Sequence, residues 1–373
     1  MGEKDVVSWG RTQVPGENSS WGNCYSVSRD LVFYSGCCLI VSGMRRIFRR
    51  PRIVVSKCIG FAHCRYNGDI ITSHLVERLK EYVDFVPVCP EVEIGLGIPR
   101  PSLRIVRIGD TDHLTQPGTG RDVSEEMTTF TRHFLESLPE VDGFILKNKS
   151  PTSGLRDAKV YPSAGKSAPI GRGPGFFGRM VLERYPLLPV EDEGRLRNVR
   201  IRDNFLTGIF TLADFREAKT RGRIRDLARF HTENKYLLHA HSRKFQKEMG
   251  VIVANQEGLP PGMLFERYGV LLGRALARPS SYRTTIDVLV HAMGHFRDRI
   301  GPGERDFFLR SLERYRDGKA SVCAPKNIIA LWIERFDEEN LRNQTFFAPF
   351  PDDLIEPEPA ETDRGRDFWK EEV

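Results

Sequence analysis

The sequence predicts an α/β N-terminal domain, with a mostly parallel sheet and flanking helices, followed by an all-α C-terminal domain. From residue 52 onward, short apolar runs typical of strands alternate with amphipathic helical segments, a pattern that indicates βαβ units. After about residue 202 the strand-like runs end, and helical periodicity continues to about residue 350. The length of 373 residues also favours two domains.

The elements of the first domain are predicted from apolar runs and from helical spacing. Four runs predict strands: Arg52–Ser56, Asp84–Cys89, Leu103–Ile108 and Asp142–Lys147. Two segments between them repeat apolar residues at spacings of three and four, which marks one helical face each. One carries Leu75, Val76, Leu79 and Val83, and the other carries Met127, Phe130, Phe134, Leu135 and Leu138. This domain is predicted over residues 51–200.

The second domain is predicted over residues 205–350 as a set of helices. Its first helix is expected to carry Leu227, Phe230, Leu237, Leu238 and Phe245 on one face, and further helices are expected around 268–276, 288–296 and 307–315. Residues 1–50 are interpreted as a disordered leader or a start-site artefact, with Met44 as an alternative start. The Pro/Glu-rich end, residues 355–373, is predicted to be a disordered tail.

Composition excludes several classes of protein. Seven cysteines at irregular spacing argue against a disulfide framework and favour a reducing, cytoplasmic location. No stretch approaches the roughly 20 apolar residues that span a membrane. Positive charges follow the apolar run at 31–44 instead of preceding it, unlike in a signal peptide. The net charge of +6 suits an acidic partner such as RNA. No obligate protein partner is inferred.

Three polar segments follow predicted parallel strands, and ligands bind beyond the carboxyl ends of such strands. Cys58 follows the first strand, Cys89 ends the second, and the loop NKSPTSG (148–154) follows the strand at 142–147. Their spacing alone leaves two interpretations open. The thiols are buried apolar residues, or they form a metal site, for example a zinc site with Cys64. The glycine-rich GRGPGFFG (171–178) lacks the lysine of a phosphate loop and is interpreted as a turn-rich connector.

Four stretches in this order resemble the thiouracil-desulfidase type of domain: VSKCIGFAHCRYNG (55–68), PVCPEVEIGLGIPRP (87–101), DGFILKNKSPTSG (142–154) and PVEDEGRL (189–196). The second half resembles the YbgA-type helical domain that is often fused to it, through ARFHTENKYLLHAHS (228–242), IDVLVHAMGHF (286–296) and NQTFFAPFPDDL (343–354). The fused arrangement is similar to that of enzymes that remove sulfur from 4-thiouridine in tRNA.

The resemblance implies a 4Fe–4S cluster held by three cysteines, with an open iron that binds the sulfur of the substrate. Cys58 and Cys89 match the first two ligands of the family. Glu91 matches its glutamate, which implies a general base, and Ser150 matches the serine expected to stabilise developing charge. The implied reaction is hydrolytic, involves no net redox change and releases hydrogen sulfide.

At the third ligand position the chain departs from the family, because Ser153 stands where the family loop has cysteine. Three outcomes stay open. Ser153 binds as an alkoxide, Cys64 replaces it, or no cluster is bound. The functions that remain are a desulfidase for 4-thiouridine in tRNA, a desulfidase for free thiouracil, and a cluster-free RNA-binding relative. A zinc hydrolase of nucleobases is a more remote alternative.

Basic charge is concentrated at the junction of the domains, where residues 195–247 hold fourteen Lys and Arg against five Asp and Glu. Arg221, Arg225 and Arg229 recur every four residues, which predicts one helical stripe, and His231, Lys235 and His239 predict a second. Arg221, Arg225, Arg229 and Lys235 are therefore candidate contacts to RNA phosphates. The alternative is a solvated helix face.

Overall fold

The computed structural model describes residues 46–355. Most of the predicted leader (1–50) and nearly all of the predicted tail (355–373) therefore lie outside the described residues. The strands within this range are β1 (Arg52–Ser56), β2 (Asp84–Val88), β3 (Arg104–Ile108), β4 (Thr111–Gln116), β5 (Arg121–Asp122), β6 (Gly143–Leu146), β7 (Ala158–Tyr161), β8 (Gly171–Gly173) and β9 (Val190–Asp192). The helices of the first part are α1 (His74–Leu79), α2 (Pro90–Glu93), α3 (Ser124–Ser137) and α4 (Phe176–Arg184).

The first sheet is parallel throughout, in the order β2-β1-β6-β9. Ile53, Val54 and Val55 are fully buried in β1, and β6 is buried along its whole length. Such continuous apolar runs are typical of parallel strands that are covered on both faces. The predicted α/β architecture is confirmed by this sheet, with α3 and α4 on one face and α1 on the other.

A second sheet of five strands has the order β5-β4-β3-β7-β8 and is mixed. The run predicted at Leu103–Ile108 does form a strand, β3, but its partners lie in this second sheet. β3 and β4 form an antiparallel hairpin with Ile108 opposite Thr111, so only Gly109 and Asp110 connect them. Gly109 has φ 59°, a conformation that glycine adopts without steric cost in two-residue hairpin loops.

The second half of the described chain is helical, as predicted. Its helices are α5 (Val199–Arg221), α6 (Ile224–Glu233), α7 (Lys235–Ala254), α8 (Pro261–Leu276), α9 (Tyr282–Gly294), α10 (Pro302–Arg316), α11 (Cys323–Phe336) and α12 (Glu339–Arg342). Trp332 and Phe346 lie in their shared core. Among the described helices, none combines the length and apolar character that crossing a lipid bilayer demands.

Helix α5 connects the two halves. Phe205 and Ile209 pack into the core on one face of the parallel sheet, whereas Phe215 packs into the core of the helical part. The helix begins just after β9 and runs back toward the amino ends of the strands. There Arg216 pairs with Asp142, the residue before β6, at 2.8 Å. Its 23 residues span about 34 Å. The helix therefore begins near the carboxyl ends of the strands and ends near their amino ends.

Two helix boundaries differ from the prediction. The expectation of one helix from Leu227 to Phe245 is wrong, because α6 ends at Glu233 and α7 begins at Lys235. Between them Asn234 is buried, and its side-chain amide donates to the carbonyl of Phe230 at 2.9 Å. Its side-chain oxygen accepts from the hydroxyl of Thr345 at 2.8 Å. Asparagine side chains that bond nearby backbone in this way compete with helix continuation.

Candidate functional site

The loops that follow β1, β2 and β6 meet in a cleft of about 290 Å³ at the carboxyl edge of the parallel sheet. Ser56 lies opposite Val88, and the backbone N–H of Lys147 donates to the side-chain oxygen of Ser56 at 2.9 Å. Alignment of the strand ends thus brings the loops together. The predicted convergence is confirmed, since the lining includes Cys58, Cys64, Cys89, Glu91, Ser150 and Ser153. The chemical roles of these residues stay predictions.

Three thiols form a hydrogen-bonded row in this cleft. The thiol of Cys89 donates to the carbonyl oxygen of Cys64 at 3.7 Å and also bonds its thiol, and the thiol of Cys64 donates to the sulfur of Cys58. Cys64 is 2% exposed and Cys89 is 9% exposed. The bond donated by Cys64 lowers the pKa of Cys58, against the opposing effect of burial. The same bond raises the pKa of Cys64 to about 11, and the bond to Cys64, followed by burial, raises the pKa of Cys89.

The chemistry of these donors fits an iron–sulfur group, because such clusters are held by cysteine thiolates. Cys58 is the thiol most ready to ionise, and the thiolate is the form that binds metal. The present arrangement is that of hydrogen-bonded thiols. Across residues 46–355, no three His, Cys, Asp or Glu side chains stand ready to hold a metal ion. The thiol side chains would therefore have to turn away from one another to act as ligands.

Glu91 is held in the cleft by two partners. The guanidinium of Arg100 donates to one carboxylate oxygen from Nε at 3.0 Å and also from Nη2. The hydroxyl of Thr152 donates to the other oxygen at 2.8 Å. The Arg100 side chain is 2% exposed and that of Glu91 is 17% exposed. The carboxylate therefore has a fixed orientation while water can still reach it.

The serine loop after β6 is folded around the hydroxyl of Ser150. That oxygen accepts from the backbone N–H groups of Thr152 (3.1 Å) and Ser153 (3.0 Å). Its own hydrogen therefore remains to donate into the cleft. Ser153 is 5% exposed and also lines the cleft.

The glycine-rich segment holds this serine loop in place. A Cβ atom on Gly175 would lie 2.4 Å from the carbonyl oxygen of Thr152, and one on Gly178 would lie 2.4 Å from that of Gly154. The N–H of Gly175 donates to the carbonyl of Gly154 at 2.8 Å. Only glycine permits this approach of backbone to backbone. The segment is therefore a packing surface, and its interpretation as a turn-rich connector is wrong, because it forms β8 and the start of α4.

Cations and one aromatic ring surround the mouth of the cleft. Lys57, Arg65 and Lys149 line it together with Tyr66, which is 46% exposed. The guanidinium of Arg65 lies 5.7 Å from the centre of the Tyr66 ring. Such a combination can contact both a flat ring and negatively charged groups.

The four residues predicted to bind RNA lie elsewhere, and the predicted stripes are wrong. Arg221 ends α5, Gly222 caps that helix with φ 67°, and Arg225 and Arg229 belong to α6. Arg221 and Arg229 line a separate cleft of about 500 Å³ near the amino ends of the strands. Each is paired one turn away on its own helix, with Glu217 and Glu233 respectively, at 2.9 Å.

The second stripe is also divided between helices. His231 lies in α6 and bonds the hydroxyl of Tyr268 at 3.0 Å. Lys235 opens α7 and is exposed. His239, further along α7, pairs with Asp287 at 2.9 Å. The two histidines are therefore occupied by partners inside the helical part and do not form a cationic face with Lys235.

Sequence reasoning missed Arg100, Thr152 and Glu193 as parts of the site. Glu193 pairs with Lys147, and its other oxygen accepts from the N–H of Asn148 at 2.9 Å, which orders the start of the serine loop. All three belong to the four stretches that carried the resemblance. Their position in these stretches was the one sign in the sequence that they belong to the site. The spacing of residues does not predict that a single arginine is buried.

Comparison with known proteins matches two parts of the chain to two different family models. A family model described as 2-thiouracil desulfurase matches residues 53–193, and a model described as protein of unknown function (DUF1722) matches residues 235–351. The uncharacterized protein YbgA of Escherichia coli (strain K12) is 27% identical over 154 residues, which make up 41% of this chain and 91% of that protein. The uncharacterized protein YbbK of Bacillus subtilis (strain 168) is 31% identical over 111 residues, 27% of this chain and 72% of that protein.

Among solved structures, the 4Fe-4S-dependent thiouracil desulfidase TudS is similar to part of this chain. It is 26% identical, with a TM-score of 0.32, over 40% of this chain and 94% of that structure. The two family models and the match to YbbK show that the chain belongs to the 2-thiouracil desulfurase family and carries a DUF1722 domain of the YbgA type behind its desulfurase domain.

Proposed function

We propose that this protein is a desulfidase that removes sulfur from a thiolated nucleobase, with 4-thiouridine in tRNA as the favoured substrate. The observation that carries the proposal is the meeting of three thiols and a clamped glutamate in one cleft, inside the region that matches the desulfurase family. Thiols serve as soft ligands, and a fixed carboxylate serves as a proton acceptor. Desulfuration requires both functions.

The proposed cofactor is a 4Fe–4S cluster held by thiolates of the cleft, which include Cys58 and Cys89. When bound, the cluster supplies an open iron, a Lewis acid with affinity for the sulfur of a thiocarbonyl group. The hydrogen bond from the thiol of Cys64 favours the ionised form of Cys58, and the charge of Lys147 acts in the same direction. The protein thus provides the thiolates, and the cleft provides room for a base above them.

The remaining chemistry falls to residues of the chain. Glu91 accepts a proton from a water molecule that attacks the carbon of the C=S group, and later returns it to the departing sulfur. Arg100 and Thr152 keep the carboxylate turned toward the cleft. The hydroxyl of Ser150 donates to negative charge that develops on the base. Water and the thiocarbonyl are converted to a carbonyl and hydrogen sulfide, so no electron donor is required.

The mouth of the cleft favours a nucleotide over a free base. Lys57, Arg65 and Lys149 would lie near phosphates, and the ring of Tyr66 offers a surface for stacking. A free thiouracil carries no phosphate and would leave these cations without a role. A base in tRNA would have to leave its stack to reach the thiols.

Iron analysis and sulfide release test the function together. Protein purified without oxygen should contain iron and acid-labile sulfide, and it should release sulfide from tRNA that contains 4-thiouridine. The free nucleoside and 2-thiouracil are the comparison substrates. Iron without turnover of any of the three would contradict the proposed reaction. Protein with neither iron nor turnover that still binds tRNA would instead be the cluster-free RNA-binding relative, which Ser153 favours.

Binding of tRNA should depend on the cations at the mouth. Replacing Lys57, Arg65 and Lys149 together by glutamine should weaken binding and make the slope of log affinity against log salt shallower. The expected change is roughly 0.7–0.9 for each phosphate that the variant no longer neutralises. Filter binding over a range of salt concentrations measures this slope. An unchanged slope would remove the mouth from the RNA interface.

A second variant for the same tRNA-binding measurement changes Arg221, Arg225 and Arg229. Replacing all three by glutamine should also weaken tRNA binding, but it should leave sulfide release from the free nucleoside unchanged. The reason is position, because Arg221 lies at the end of α5 farthest from the thiols. Unaltered tRNA binding would make these arginines, and by extension Lys235, an ordinary solvated surface.

A further inference from the structure

We propose that Cys64, and not Ser153, supplies the third sulfur ligand of the iron–sulfur cluster in this chain. The inference rests on the proposed function, because it presupposes that a cluster is bound. It concerns a residue that follows Cys58 by only six positions and that lies outside the serine loop altogether.

The first argument for Cys64 as the third ligand is its location in the cleft. Cys64 lines the same cleft as Cys58 and Cys89, its carbonyl oxygen accepts from the thiol of Cys89 at 3.7 Å, and its thiol bonds that of Cys58. The chain between Cys58 and Cys64 turns back on itself, with the N–H of Ala62 donating to the carbonyl of Lys57 and that of Cys64 donating to Ala62, both at 2.9 Å. The three thiols thus line one cleft without any contribution from residue 153.

The backbone of Cys64 is also fixed from the other side. Arg100 donates from Nη1 to the carbonyl oxygen of Cys64 at 3.1 Å, and the same arginine holds Glu91. The thiol of Cys89 lies 3.7 Å from that carbonyl oxygen. The buried side chain of Arg100 therefore fixes the backbone of Cys64 relative to Glu91, the proposed base. Binding a cluster through all three thiols requires their side chains to rotate out of the present hydrogen bonds.

Ser153 is poorly suited to the same task. Its hydroxyl is a hard and weakly acidic donor, whereas iron–sulfur clusters are typically held by thiolates. Its backbone is constrained as well, because the N–H of Ser153 bonds the hydroxyl of Ser150 and Gly175 and Gly178 press against the loop. Ser153 then becomes part of the cleft wall.

Variants at the two positions separate these roles. We would compare wild type, Cys64→Ser, Ser153→Ala and the double variant Cys64→Ser/Ser153→Cys after anaerobic reconstitution with iron and sulfide. The readouts are iron and acid-labile sulfide per chain and the electron paramagnetic resonance spectrum of the reduced protein. Cys323→Ser is the matched control, since Cys323 is a cysteine of the helical part, far along the chain from the three thiols.

Wild type, Ser153→Ala and Cys323→Ser should carry the same amount of iron and give the same spectrum. Cys64→Ser should bind the cluster at least roughly 10- to 100-fold more weakly, since removing even a hydrogen-bond partner of a ligand costs a metal site that much affinity. The double variant should regain iron, because it again has three thiols, and this recovery shows that the single variant failed through its ligand and not through its fold.

Two results would overturn the inference: iron at the wild-type level in Cys64→Ser, or loss of iron in Ser153→Ala. A melting curve for each variant identifies unfolded protein, and if Cys64→Ser is unfolded, the Ser153→Ala arm decides alone. Failure of the proposed function looks different, because wild-type protein would then bind no iron in the first place.

Discussion

Glu91→Gln is expected to lower sulfide release by roughly 10²- to 10⁴-fold, the range that general acid–base catalysis contributes. The amide retains the shape of the side chain and can still accept from Arg100, but it cannot take a proton from water. Iron content and melting temperature should therefore stay near those of the wild type. Sulfide assays under anaerobic conditions, with iron determined on the same samples, measure both quantities.

Glu93→Gln is the matched control for this substitution. Glu93 lies in the same short helix, α2, but it is exposed and does not line the cleft. Its replacement should leave turnover unchanged. Full turnover in Glu91→Gln would exclude Glu91 as the base, whereas equal losses in both variants would point to a general effect of charge on the helix.

Arg100→Met is expected to destabilise the fold by about 3 kcal/mol, at the lower end of the range for removing one member of a buried ion pair. The lower end applies because water still reaches Glu91, which is 17% exposed. Methionine also leaves the carbonyl oxygens of Cys64 and Gly97 without their donor. Denaturant unfolding of the apoprotein gives the free energy of unfolding, and the iron assay reports on the thiols.

A double-mutant cycle separates the ion pair from the other contacts of Arg100. Replacing both Arg100 and Glu91 by methionine removes the unpaired carboxylate, and buried pairs replaced in this way are often close to neutral in stability. The double variant should therefore be more stable than Arg100→Met alone. If it is less stable, the contacts of Arg100 with the two carbonyl groups, and not its pairing with Glu91, dominate.

Much of the parallel sheet could be predicted because its strands are buried on both faces. The runs at 52–56 and 143–146 are nearly continuous in apolar residues and bounded by polar ones. Once parallel pairing is inferred, the meeting of Cys58, Cys89 and the serine loop at one edge follows from the geometry of the sheet. The second sheet carried no such signal, since β4 reads TDHLTQ and β8 is only GRG.

The sequence predicted the loops that form the site, but it did not predict the residues that hold Glu91 and the serine loop in place. Arg100 has no periodic context, and its burial depends on Glu91 and on carbonyl groups that only the folded chain assembles. The division of the arginine stripe could have been anticipated. Gly222 sits between Arg221 and Arg223, and a glycine after a basic last turn commonly ends a helix. This stop signal outweighs the regular spacing of the arginines.

Helix α5 has a consequence for how the two halves depend on each other. Its early residues pack against the sheet, and its later residues pack in the core of the helical part. A cut near residue 200 would remove α5 from the sheet and would leave its early apolar residues without contacts. Such a cut is therefore expected to destabilise the sheet of this chain and to expose the apolar residues of α5 on its helical half.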